Sequence, residues 1–294
     1  MKTLRGNKKC LPALMEYCSL VRAMSAHNPM CALLAEQAGF EAIWASGFEI
    51  SASYGLPDAS LITHTQHLEI TRAICTQVQI PVIADVDTGY GNAVNVVYAC
   101  QTYEDAGAAA IVIEDKTFPK DSSLRPNGRQ QLLDVGEFEG KVAAAVDARR
   151  SKEFLIIART EALIAGAGMD DALHRAARYE AAGADAILVH SKQSDPEEVL
   201  TFSTAWEGSA PLVVVPTAYP QLTESDIVAS KNIAIVIYGN HSIRAAVAAM
   251  QSVYAQIAKE GGILNIEEKI ASVQRIFDLQ GTKELTEIES SYLR

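Results

Sequence analysis

Short apolar, β-branched runs alternate strictly with helical stretches along nearly the whole chain, and this alternation limits the fold more than any other feature. Residues 21–27, 41–47, 81–89, 109–115, 155–162, 185–191, 212–218 and 233–240 read as eight strands. Most have continuous apolar centres, such as Ile111-Val112-Ile113 and Val213-Val214-Val215, as parallel strands covered on both faces require. Helical patterns lie between them, for example at 93–106 and 169–182. A weak internal repeat agrees: the segments 39–43, 107–111 and 183–187 each leave a helix through glycine and enter an apolar strand, once every two βα steps. The pattern predicts an α/β chain folded as a (β/α)8 barrel of the TIM type, with a doubly wound open sheet as the alternative. At 294 residues the chain is expected to form a single barrel domain over 1–294. Residues 242–258 read as the closing helix and 265–279 as one or two further helices, more than a barrel needs and suited to packing on a partner subunit.

Composition narrows the function. With 25 Lys and Arg against 36 Asp and Glu the net charge is −11, and no block of basic residues is present. A surface for nucleic acid or anionic membrane is therefore not expected, and a small-molecule substrate is. No run approaches the roughly 18 apolar residues of a membrane span, so a cytoplasmic protein is expected. The five cysteines are odd in number and irregularly spaced, which predicts free thiols without disulfides or zinc.

In such a barrel the chemistry gathers at the carboxyl ends of the strands. Those ends carry Asp85 and Asp87 on the third strand, Glu114 on the fourth, Arg159 on the fifth and His190 on the sixth. Asp85 and Asp87, two apart, are expected on one face beside Glu114, so that three carboxylates crowd one spot. A divalent cation would resolve that repulsion, and an all-oxygen ligand set favours Mg2+ or Mn2+ over zinc. Arg159 and His190 on the same rim suit an anionic substrate. Ser46, Gly47 and Phe48 can offer backbone N–H groups to a carboxylate. The polar segment 116–132 far exceeds the roughly 2–6 residues of an ordinary βα connection and reads as a lid. Its closure is expected to bring Lys120, Ser122, Arg125 and Arg129 over the cation.

Together these motifs resemble the phosphoenolpyruvate mutase and isocitrate lyase superfamily, over essentially the whole chain. The resemblance rests on residues 44–47 (Trp-Ala-Ser-Gly), 85–92 (Asp-Val-Asp-Thr-Gly-Tyr-Gly-Asn), 114–120 (Glu-Asp-Lys-Thr-Phe-Pro-Lys), 158–162 (Ala-Arg-Thr-Glu-Ala) and 183–191, which ends His190-Ser191. It implies that Asp85 chiefly holds Mg2+, with Asp58, Asp87 and Glu114 acting partly through water. It further implies that Ser46, Gly47 and Phe48 position a pyruvyl group, that Arg159 and His190 hold a phosphonyl group, and that Trp44 packs on the substrate. The superfamily's C–C lyases carry a lid cysteine in a Lys-x-Cys-Gly-His motif, and this lid has none, so lyase action is disfavoured. Ser122 stands where mutases have Asn and the P–C bond hydrolases have Thr. The implied activity is Mg2+-dependent hydrolysis of phosphonopyruvate to pyruvate and phosphate, with Lys120, Ser122, Arg159 and His190 as the catalytic set. The alternatives are a mutase interconverting phosphonopyruvate and phosphoenolpyruvate, an enzyme hydrolysing or decarboxylating oxaloacetate, and a non-catalytic member. The resemblance also implies a homodimer or homotetramer with an exchanged terminal helix.

Overall fold

A computed structural model describes residues 10–230 and 232–293. Eight strands form a closed parallel barrel in sequence order: β1 (Val21–Ala26), β2 (Ala42–Ala45), β3 (Val82–Asp85), β4 (Ala110–Glu114), β5 (Leu155–Thr160), β6 (Ala186–Val189), β7 (Leu212–Val214) and β8 (Ile233–Tyr238). β1 pairs with β8 to close the ring. The doubly wound alternative is thereby excluded.

Every strand starts within a residue of its sequence-predicted start, and the disagreements lie at the carboxyl ends. The ladder stops at Ala45, Asp85, Thr160, Val214 and Tyr238, whereas the apolar pattern carries the strands on to 47, 89, 162, 218 and 240. The extra residues turn away from the ladder to build loops. Ser46 caps the helix Gly47–Ser53, and Asp87 takes a left-handed backbone with φ 52°. The glycine repeat is a helix stop. Gly39, Gly107 and Gly183 have φ of 90°, 86° and 100°, and in each case the following N–H donates to the carbonyl five residues back. A residue with a Cβ is strained in that conformation.

Side chains alternate between two cores. Residues such as Ile83, Val112, Ile157, Leu188 and Ile235 fill the barrel interior, while Ile111, Ile113, Ile156 and Ile187 meet the surrounding helices. All five cysteines are free. No helix among the described residues is long and apolar enough to cross a membrane.

The chain divides into two compact units: the barrel, through Ser242, and a helical unit beginning at Ile243. The helical unit holds most of the helix His241–Glu260, then Val273–Gln280 and Thr282–Tyr292. The last of these goes beyond the sequence reading, which ended at 279. Only Ile243 and Ile266 are buried among residues 243–293, and Leu264, Val273, Phe277 and Leu285 are exposed.

Ile157 is fully buried in the barrel interior. Ile157→Ala is expected to lower unfolding stability by about 2–5 kcal/mol, read from the midpoint of urea denaturation at unchanged slope.

Candidate active site

The carboxyl ends of the strands open into a small cavity of about 60 Å³. Since a buried water needs roughly 10–15 Å³ on this measure, there is space for several waters or one compact organic acid. Trp44, Ser46, Phe48, Asp58, Asp85, Lys120, Ser122, Arg159 and His190 line it. Gly47, Asp87 and Glu114 contact residues of this lining, namely Asp85, Lys120 and Arg159 in turn. A Cβ on Gly47 would lie 3.0 Å from Asp87 Oδ1 and 3.2 Å from Asp85 Oδ2, so the absence of a side chain lets that backbone meet both carboxylates. Gly47 N–H donates to Asp85 Oδ2 at 3.2 Å. Ser46 fixes the turn by accepting from Glu49 N–H at 3.2 Å and donating to the Gly239 carbonyl at 3.1 Å.

Asp58, Asp85, Asp87 and Glu114 approach one place, near enough for all four to act on the Lys120 ammonium. Among the described residues no three His, Cys, Asp or Glu side chains are close enough together to hold a metal by themselves. Cations of the protein are interleaved instead. Lys120 Nζ from the lid lies 2.6 Å from Asp87 Oδ1 and 3.0 Å from Asp58 Oδ1, and Arg159 Nε lies 3.5 Å from Glu114 Oε2. Asp87 reaches the site through the left-handed turn rather than along the strand face it was expected to share with Asp85.

Burial controls the electrostatics. It pushes Asp85 above the ordinary carboxylate range and Asp87 up to about 7, although Lys120 pulls both down. Burial also opposes the charge on Lys120, but Asp58, Asp87, Glu114 and Asp85 outweigh it and raise the ammonium well above its usual value. Both carboxylate oxygens of Glu114 are buried without a hydrogen-bond partner. Such a group calls for a ligand, because an unmet buried acceptor is costly. An all-oxygen set that leaves most coordination positions to water fits Mg2+, which binds through one or two carboxylates and dehydrates reluctantly.

A second ionic cluster adjoins the first. Glu161, fully buried, accepts from Arg159 Nε at 2.6 Å and from Ser123 Oγ at 2.5 Å, and Lys116 Nζ lies 2.9 Å from it. Burial would raise the Glu161 carboxyl, yet Arg159, Lys116 and His190 hold it well below its ordinary range. His190 Nδ1 lies 2.9 Å from Arg159 Nη2 and 3.1 Å from Glu161 Oε1. Burial and then Arg159 lower its pKa, and its Nε2 is buried with no partner. The imidazole therefore stays neutral here and keeps one ring nitrogen for a ligand. Asp115 secures the backbone below, accepting from Glu161 N–H at 2.8 Å and from Tyr179 OH at 2.7 Å.

The segment 116–132 is pinched at its base by an antiparallel bridge between Lys116 and Leu132. Of its four expected site residues, Lys120 and Ser122 line the cavity. Arg125 and Arg129 are exposed and serve the lid itself: Asp121 accepts from Arg125 Nη1 at 3.0 Å and from Arg129 N–H at 2.8 Å. They bring no charge over the cavity. Sequence reasoning assigned no role to Lys116, Ser123, Glu161, Thr217 or Asn240, all of which line the cavity or brace it. Glu161 and Asn240 had a visible signal, since both stand at strand ends.

Beneath the Ser46 turn lies a buried acid the motifs did not reveal. Glu49 accepts from Ser25 Oγ at 2.8 Å and pairs with His27 Nδ1 at 3.0 Å. Hydrogen bonds to Cys31 and Glu49 raise His27 to about 9. A raised folded-state value stabilises the fold fully below the unfolded pKa near 6.5, and that contribution is lost as pH rises through about 9. Melting temperature is expected to fall between pH 6.5 and 9.5 by more in the parent than in His27→Gln, as measured by calorimetry at both pH values.

A family model described as phosphoenolpyruvate phosphomutase matches residues 11–258. The chain is 56% identical over 286 residues to phosphonopyruvate hydrolase of Variovorax sp. (strain Pal2), covering 97% of this chain and 99% of that protein. It is 40% identical over 270 residues to phosphoenolpyruvate phosphomutase of Tetrahymena pyriformis, covering 92% of this chain and 90% of that one. A crystal structure of phosphonopyruvate hydrolase in complex with oxalate and Mg2+ superposes with a TM-score of 0.92 at 54% identity, covering 97% of this chain and 98% of the other.

Proposed function

This chain belongs to the phosphoenolpyruvate phosphomutase family, and on that premise we propose that it hydrolyses the P–C bond of phosphonopyruvate to pyruvate and phosphate in a Mg2+-dependent reaction. The observation that carries the reading is the cavity itself. It interleaves the carboxylates Asp58, Asp85, Asp87 and Glu114 with the cations Lys120 and Arg159 and sets neutral His190 beside Arg159, around a cavity of about 60 Å³. The sequence identity of 56% to the Variovorax phosphonopyruvate hydrolase, against 40% to the Tetrahymena phosphomutase, supports hydrolysis over mutation.

In this reading Asp85 is the principal metal ligand, and Asp58, Asp87 and Glu114 act partly through water. Bound there, Mg2+ would polarise the carboxylate and keto oxygens of the substrate and favour departure of the enolate. The Ser46-Gly47-Phe48 turn orients the pyruvyl oxygens, and Trp44 packs on the carbon skeleton. Arg159 and Lys120 neutralise the phosphonyl oxygens, and His190 Nε2, if it carries the ring proton, donates to one of them. Ser122, whose hydroxyl has no partner among the described residues, orients the water that attacks phosphorus in line with the leaving carbon. The lid excludes bulk solvent while admitting that one water.

We further infer that the protein works in the cytoplasm as a homodimer or homotetramer exchanging a terminal helix. The exposed apolar side chains of the helical unit, among them Leu264, Val273 and Phe277, support association.

Purified protein given phosphonopyruvate and Mg2+ is expected to release pyruvate and phosphate in equal amounts, and chelation should abolish both. Arg159→Ala is expected to lower kcat/KM by at least about 10²-fold, through loss of a buried guanidinium that pairs with the dianion. Phosphoenolpyruvate in place of phosphate would make it a mutase. Turnover of oxaloacetate alone would remove the phosphonate reading.

A further inference from the structure

We propose that Ser123 is a positioning residue that couples closure of the lid to the orientation of Arg159. The inference rests on the reading of the site given above, and it gives a role to the serine next to Ser122 that the sequence left without one.

Ser123 is buried, and its hydroxyl makes all three hydrogen bonds open to it. It donates to Glu161 Oε2 at 2.5 Å and accepts from Lys116 Nζ at 2.6 Å and from Arg159 Nη2 at 3.0 Å. Its lone pairs are already directed at two cations and its proton at a carboxylate, which leaves no electron pair for attack on phosphorus. The Ser122 hydroxyl lacks such partners. The Ser122 carbonyl is tied into the lid by Gln130 Nε2 at 2.9 Å and Arg125 N–H at 3.1 Å, while the residue lines the cavity. One serine thus serves the ligand and its neighbour serves the barrel floor.

Position in the fold makes Ser123 a latch. Glu161 and Arg159 come from β5 and its end, His190 follows β6, and Lys116 stands at the base of the lid. Ser123 alone brings a side chain from the tip of the lid into this cluster. Arg159 Nη2 has two partners, Ser123 Oγ and His190 Nδ1. If the lid lifts, the guanidinium loses one of them, and Glu161 loses its bond to a hydroxyl held between two cations. Bonds to charged partners in a buried setting are the strong ones. The arginine that meets the substrate is then fully braced only when the tip of the lid is down.

The test uses the full-length protein with Mg2+ and oxalate as the probe, followed by hydrogen–deuterium exchange over 117–131 and by steady-state kinetics with phosphonopyruvate. In the parent and in Ser122→Ala, Mg2+ and oxalate are expected to slow exchange across the lid. In Ser123→Ala that protection should be lost and kcat/KM should fall by about 10- to 100-fold, the range for losing one hydrogen bond to charged partners, with KM raised. A Ser123→Ala lid protected as in the parent would overturn the proposal, whether kcat is unchanged or abolished. So would a parent lid that exchanges equally with and without the probe. If the parent closes and Ser123→Ala does not, but phosphonopyruvate is not turned over by the parent, the latch stands and the reading of the substrate fails.

Discussion

The site depends on how buried negative charge is balanced at one rim of the barrel. Asp58, Asp85, Asp87, Glu114 and Glu161 all approach one small cavity, an arrangement that would be prohibitive if the acids faced each other alone. The chain alternates them with Lys120, Arg159 and Lys116. Two of these three cations come from the segment 116–132. Neutralising the rim and covering the cavity are therefore one event, and Glu114, left without a hydrogen-bond partner, marks where the balance is incomplete.

The barrel holds these charges in place by strand register. Glu114 and Arg159 are direct partners across β4 and β5, so the ladder sets their separation. Trp44 lies one strand away from the acids, in register with Ile83, and forms the apolar wall. Function is thus placed by hydrogen bonding between strands, and it varies in the loops that follow. That division explains how a hydrolase and a mutase can share one scaffold at high structural similarity.

Most of this was legible in the sequence because apolar periodicity and glycine stops report local geometry. The strand starts, the helices 93–105 and 169–181 and the cavity residues Trp44, Ser46, Asp85, Lys120, Arg159 and His190 could all be read there. Three things could not. Asp87 keeps its place in a strand pattern while its backbone turns left-handed, and periodicity cannot register that change. Arg125 and Arg129 look like substrate ligands, but both are exposed, and Asp121 takes the Arg125 guanidinium and the Arg129 backbone N–H, contacts that only the folded lid creates. Ser122 stood out in the lid motif but Ser123 did not, and the role of Ser123 emerges only when its hydroxyl drops among Lys116, Glu161 and Arg159.

If water admitted under a closed lid attacks phosphorus as the P–C bond breaks, the oxygen that phosphate gains comes from solvent. The most direct measurement is 31P NMR of the products formed from phosphonopyruvate and Mg2+ in 18O-enriched water. The expected products are phosphate carrying one solvent-derived oxygen and pyruvate in equal amount. Phosphoenolpyruvate free of solvent oxygen would contradict attack by water, because the phosphoryl group would then have passed to the enolate oxygen without meeting water.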